Sequence, residues 1–160
     1  MDAFEGTIHA KVDVKGRVFV PASFRKILQS TPESRLKLRK DIFQNCLALY
    51  PKNHWEVELN KLDDRLNDMG DDESQNTFRM ISAFVETVEL DSNGRLLIPK
   101  KYLNMAKISN KICFVGMNRY IEIWNPDQFA EIMMTSDDLK SNVRKFLSRS
   151  RQTNENSGQK

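Results

Sequence analysis

The chain has 160 residues, 39% of them hydrophobic and 29% charged, which is long enough to bury a shared core and too apolar for bulk disorder. No apolar run approaches the roughly 20 residues of a membrane helix, and Met1-Asp2-Ala3-Phe4-Glu5 lacks the basic-then-apolar start of a signal peptide, so a cytoplasmic protein without a membrane partner is expected. The net charge of +3 hides a segregation. From Lys11 to Lys40 nine cations (Lys11, Lys15, Arg17, Arg25, Lys26, Arg35, Lys37, Arg39, Lys40) face only Asp13 and Glu33, while from Glu56 to Glu73 eight acids face only Lys61 and Arg65. A basic block of this kind is the electrostatic footprint of a polyanion binder, although sorted charge alone also describes solvated faces.

In chain order, the first strong signal is a stretch that occurs twice. Val12-Asp13-Val14-Lys15-Gly16-Arg17-Val18-Phe19-Val20-Pro21 returns as Leu90-Asp91-Ser92-Asn93-Gly94-Arg95-Leu96-Leu97-Ile98-Pro99. Asp at the first turn position and Gly at the fourth suit a type I turn followed by a left-handed residue, the turn-plus-bulge of three-residue hairpin loops. Asp13 and Asp91 accept from donors inside the turn, Gly16 and Gly94 supply the positive φ, and Arg17 and Arg95 leave the turn within pairing distance of the carboxylate. Val18-Phe19-Val20 and Leu96-Leu97-Ile98 read as short buried strands, stopped by Pro21 and Pro99, each of which opens a short helix. These helices are expected over Ala22 to Leu28 and Lys100 to Ala106.

Each copy closes on a second matching segment. Leu47-Ala48-Leu49-Tyr50-Pro51 with Trp55 parallels Ile121-Glu122-Ile123-Trp124-Asn125-Pro126 with Phe129. Both read as a strand, an aromatic residue and a helix start. Trp55, Leu59, Leu62 and Leu66 predict a helix near Asn53 to Asn67, Met69-Gly70-Asp71-Asp72 breaks the chain, and a further helix is expected through Phe78, Ile81 and Val85. The divisions that follow are a first unit over 7–54, a helical connection over 55–82, a second unit over 83–126, C-terminal helices over 127–147, and a polar tail over 148–160 that is expected to be disordered. The fold class expected is α+β with a mainly β core.

Catalysis finds little support. Asp13 and Asp91 invite a carboxylate dyad, but an arginine four residues after each would hold it ionised, where a dyad must share a proton. No phosphate loop, nucleophile elbow or zinc pattern appears, Cys46 and Cys113 form no paired motif, and His9 and His54 have no ligand-spaced partner. No catalytic residue, metal, cofactor or small-molecule substrate is therefore expected. An Asp-oriented arginine on a rigid turn is instead suited to phosphates or to the O6/N7 edge of guanine.

Together these motifs resemble the MraZ family, regulators of the bacterial division and cell-wall gene cluster built from two SpoVT-AbrB-type units. The resemblance runs from Phe4 to Met133 and rests on both Asp-x-x-Gly-Arg-x-x-x-Pro stretches, on Leu49-Tyr50-Pro51 with Trp55, and on Val115-Gly116 with Ile121-Glu122-Ile123-Trp124. It implies a double-split β-barrel of swapped hairpins, a ring-shaped homo-oligomer, nucleoid association, and binding of double-stranded DNA at repeated G-rich boxes. DNA contact is then expected from Lys15, Arg17 and Arg95, with Asp13, Gly16, Asp91 and Gly94 shaping the turns and the acidic helix facing away from DNA. The alternative is an antitoxin-like module that binds DNA and captures a protein with its tail. Three departures stand out: Asn93 replaces Lys15, Leu103 stands where the first unit has Arg25, and the tail after Lys145 has no counterpart. Binding led by the first turn is the resulting expectation.

Overall fold

The computed structural model of the chain describes residues 3–30, 34–135 and 139–157. Residues through Pro126 form one compact unit and those from Asp127 a second. In the first unit the elements run β1 (Thr7–Lys11), β2 (Arg17–Phe19), α1 (Ala22–Gln29), β3 (Leu36–Lys40), β4 (Leu47–Pro51), α2 (Lys52–Met69), α3 (Asp72–Ala83), β5 (Val85–Val88), β6 (Arg95–Leu97), α4 (Lys100–Met105), β7 (Lys111–Gly116) and β8 (Ile121–Trp124). The second unit holds α5 (Pro126–Thr135) and α6 (Leu139–Ser157).

The strands form an antiparallel six-stranded sheet in the order β1-β7-β8-β4-β3-β5 and a two-stranded ribbon, β2-β6. Exchanging β1 with β5, β3 with β7 and β4 with β8 gives the same order read backwards, so the sequence repeat is also a repeat in space. The copies do not stand side by side. The first strand of each pairs with the third strand of the other: Thr7 lies opposite Val115 in β1–β7, and Leu36 opposite Val88 in β3–β5. Ala48 opposite Glu122 and Val18 opposite Leu96 mark the pseudo-two-fold at the middle of sheet and ribbon. Among the described residues the large sheet stays open, with β1 and β5 as its edges.

Alternation fixes which residues enter the core. Val18, Val20, Leu96 and Ile98 are buried beneath the ribbon and join Leu38, Leu47, Leu49, Phe114, Ile121 and Ile123 from the sheet. Phe24 and Leu28 of α1 and Tyr102 and Leu103 of α4 fill the same core. Truncating Leu96 at its centre to alanine would cost about 2–5 kcal/mol. The N-terminal segment seals one end: Phe4 meets Phe24 edge to face at 5.7 Å, and its backbone passes so close to Gly116 that an added Cβ would lie 2.3 Å from the Glu5 nitrogen.

Pro21, Pro51 and Pro99 each stand directly before a helix with φ near −55° and ψ near 141°. The fixed φ ends the strand and starts the helix in one step. Trp55 anchors α2 against Tyr50 and Ala48 on the outer face of the sheet, and Gly70 ends that helix at φ 63°. Asp71 then caps α3, accepting from the Ser74 backbone N–H at 2.7 Å.

Three expectations change. Phe19 and Leu97 are not buried: they point outward at 59% and 54% exposure, because a three-residue ribbon on a core buries only alternate positions. Val85 is not on the helix through Phe78 and Ile81. It opens β5, where β-branched Val85, Thr87 and Val88 favour the extended ladder that β3 offers. Finally, α6 stays helical through Ser157, across residues expected to be disordered; neither glycine nor proline interrupts it there. Residues 158–160 of the expected tail lie outside the described residues.

Candidate nucleic-acid interface

The two repeated stretches fold into the same turn. In the first, Asp13 Oδ1 accepts from the backbone N–H groups of Lys15 and Arg17, both at 2.9 Å, and Oδ2 accepts from Arg17 Nε at 2.8 Å. In the second, Asp91 Oδ1 accepts from Asn93 at 2.9 Å and Arg95 at 2.8 Å, and Oδ2 accepts from Arg95 Nε at 2.8 Å. Backbone bonds repeat as well, Gly16 to Asp13 and Gly94 to Asp91, both 3.0 Å. Gly16 and Gly94 adopt φ of +90° and +80°, as a turn followed by a left-handed residue requires.

The backbone N–H of the arginine, more than the guanidinium itself, holds each aspartate below the usual carboxylate range. Both carboxylates therefore stay ionised at neutral pH, and the turns sit at opposite ends of the ribbon. A shared-proton dyad does not form. Because each carboxylate takes Nε, both terminal nitrogens of each guanidinium remain in the fork geometry that suits a phosphate or a guanine edge.

The ribbon register ties the turns into one surface. Arg17 lies opposite Leu97, and Phe19 opposite Arg95. Gly94 O accepts from Val20 N at 3.1 Å and Gly16 O from Ile98 N at 2.9 Å, so each turn is bonded to the strand leading out of the other. Arg17, Phe19, Leu97 and Arg95 share the outward face, with Arg95 5.8 Å above the Phe19 ring. Lys15 and Asn93 are exposed at the turn tips beside Val14 and Ser92.

One cation of this surface escapes the sequence. Arg25, on α1 of the first copy, lies against the turn of the second: a Cβ added at Gly94 would meet Arg25 Cδ and Nη1 at 2.7 Å. Its guanidinium donates from Nη1 to Val20 O at 3.4 Å. The matching position, Leu103, instead lines a cleft with Lys15 and Gly16. Arg25 therefore stands at the turn that lacks Lys15. No sequence spacing links residues 25 and 94; only the exchange of strands between copies does.

A second polar cluster, Asp41, Cys46 and Glu122, brings ligand-type atoms within 4.8 Å of one another. Its donors and acceptors are already matched. Glu122 accepts from Cys46 Sγ at 3.7 Å and from Trp124 Nε1 at 3.1 Å, and Asp41 Oδ2 accepts from the backbone of Phe43 and Gln44. Burial pushes the Cys46 thiol far up and raises Glu122.

Known proteins match almost the whole chain in sequence. A family profile described as "MraZ protein, putative antitoxin-like" matches residues 3–77 and 83–148. A protein of Bacteroides thetaiotaomicron named "Transcriptional regulator MraZ" is 44% identical over 147 residues, covering 92% of this chain and 94% of that one. A protein of the same name from Bacteroides fragilis is 41% identical over 156 residues and 98% of both chains, and one from Shewanella amazonensis is 33% identical over 150 residues. Each matched segment carries one of the arginine turns, and the matches cover the strands that exchange between them: the chain belongs to the MraZ family.

Proposed function

We propose that the chain is a sequence-specific, DNA-binding transcriptional regulator that acts in the cytoplasm on the nucleoid. In this reading it is a ring-shaped homo-oligomer on repeated G-rich boxes upstream of the division and cell-wall gene cluster. The observation that carries the reading is the outward ribbon, with an aspartate-braced arginine turn at each end. A two-stranded ribbon fits the major groove, about 12 Å wide, and a guanidinium held by its Nε keeps two donors for guanine O6 and N7. Lys15 and Arg25 add phosphate contacts, one at each turn, so the second turn contributes more than Asn93 alone implies. The open sheet and the ribbon, sharing one core, are read as the two parts of a double-split barrel of swapped hairpins.

Repetition explains the oligomer. One ribbon face binds weakly, whereas several on one ring raise the effective concentration of each next contact. Exposed Ile42, Met80 and Phe84, around a shallow cleft beside Lys40 and Asp41, and exposed Phe43 next to Ile42 in the chain offer apolar surface for subunit contact. Among the described residues no helix is long and apolar enough to cross a membrane. Residues for covalent or acid–base chemistry do not converge on the ribbon, which supports a binding role over an enzymatic one. The alternative of an antitoxin-like module that captures a protein with its tail needs apolar anchors there, and residues 148–160 carry none.

Arg17→Ala tests the reading. Loss of a bidentate guanine contact should weaken binding to repeated boxes by about 10- to 100-fold in fluorescence anisotropy, with little effect on random DNA. Undiminished discrimination between boxes and random DNA would remove Arg17 from recognition and the ribbon from the interface.

A further inference from the structure

Helix α6 carries an apolar stripe that its own unit leaves exposed. Leu139, Val143, Phe146 and Leu147 follow the i, i+4, i+7, i+8 spacing of one helical face, and all four are exposed. Around them, from Leu139 to Arg151, stand Lys140, Arg144, Lys145, Arg149 and Arg151 without one acid.

The first unit holds a complementary surface. Between α2 and α3 runs a groove of about 320 Å³ lined by Leu66, Asn67, Ser74, Gln75, Phe78 and Ser82. Half-buried Leu66 and Phe78 supply its apolar floor. Arg79 also lines it and donates to Asn76 Oδ1. Its helices and their joining turn bear the eight acids from Glu56 to Glu73 against Lys61 and Arg65. The apolar floor matches the apolar stripe, and the excess of acids on the two helices matches the basic flanks, the helix-in-groove mode of recognition.

We infer that α6 of one copy docks in the α2–α3 groove of a second copy. This deepens the ring reading and rests on it. Two α6 helices facing each other would oppose like charges, so a symmetric α6 pair is disfavoured. A helix on one copy and a groove on the next make a head-to-tail contact, the kind that closes into rings. DNA is the poorer occupant for α6, because phosphates would take the cations and leave four apolar side chains in water.

Cross-linking in the full-length chain tests this. Ser150 continues the α6 stripe and Gln75 lines the groove, while the native Cys46 and Cys113 are fully buried and do not compete. Under mild oxidation Ser150→Cys with Gln75→Cys in one chain should give a covalent ladder of three or more subunits. Mixing the two single variants should give covalent dimers and nothing larger. A bridged monomer would mean that the helix fills its own groove, and no bridge would mean that it docks elsewhere; either overturns the inference. Phe146→Glu should lower the mass in light scattering to one or two subunits. It should keep single-box binding and lose at least about tenfold on repeated boxes. If the unsubstituted chain is itself a monomer, the ring reading falls; if both proteins form the same ring, only this docking falls.

Discussion

The two arginine turns are alike in themselves and different in what surrounds them. Hydrogen bonds from backbone N–H to aspartate and from arginine Nε to aspartate agree within 0.1 Å between the copies. Around the first turn, Lys15 is the added cation and Leu103 the neighbour from the other copy. Around the second, Asn93 is neutral and Arg25 arrives from the first copy, while Arg95 lies over Phe19. Local conformation therefore follows from Asp, Gly and Arg at fixed offsets, whereas the charge at each turn is set by the whole interleaved fold. A repeat can diverge at its tips and keep its electrostatics if the other half supplies the missing group.

The glycines separate the two surroundings most strongly. Gly16→Ala places Cβ 2.7 Å from the Ile98 backbone oxygen, which cannot move without breaking its strand, and adds the strain of a positive φ. Gly94→Ala meets only the end of Arg25, a side chain free to swing away. Expected destabilisation is about 3 kcal/mol for Gly16→Ala and about 1 kcal/mol for Gly94→Ala, read as urea midpoints. Gly94→Ala should also weaken DNA binding by displacing Arg25. Equal losses of stability would show that backbone strain, and not the neighbour, decides both.

The aspartates should behave alike, because their bonds are alike. Asp13→Ala or Asp91→Ala releases a guanidinium from its fixed pose and should weaken cognate binding about five- to tenfold, less than removing the arginine. Each carboxylate is held below its ordinary value, so its bracing is fully present above about pH 4 and is lost only as pH falls through the lowered value. Affinity between about pH 5 and pH 8 should therefore show no step from these groups. An anisotropy titration with a midpoint above pH 5, abolished by Asp13→Ala, would contradict the pairing.

Much of this architecture is legible in the residues themselves. The turns, their glycines, the proline-started helices and the Trp55 anchor are local, and each is fixed within about five residues of chain. The failures share a cause. Val85 lies on the apolar period of α3, yet its β-branched neighbours find an open ladder on β3, a partner more than 40 residues away. Phe19 looks like core in a run of three apolar residues, but the ribbon is one layer thick and exposes its odd positions. Arg25 looks like a first-copy residue until β1 and β5 cross to the opposite copies.

The smallest effect bears most directly on the exchange between copies. If Arg25 contacts phosphate beside the second turn, Arg25→Ala removes one neutralised phosphate per subunit. The plot of log affinity against log salt should flatten by about 0.9, and binding should weaken about three- to tenfold at physiological salt on cognate and random DNA alike. Lys15→Asn should produce the same change from the first turn. The informative variant is Asn93→Lys in the Arg25→Ala background. It rebuilds on the second turn the cation that the first turn already carries, and should restore both slope and affinity. Rescue would mean that charge at the second turn is what matters, whichever copy supplies it. If Arg25→Ala weakens binding and Asn93→Lys fails to rescue it, Arg25 serves by packing on Gly94 and holding the turn, and the two turns differ in kind rather than in the source of one charge.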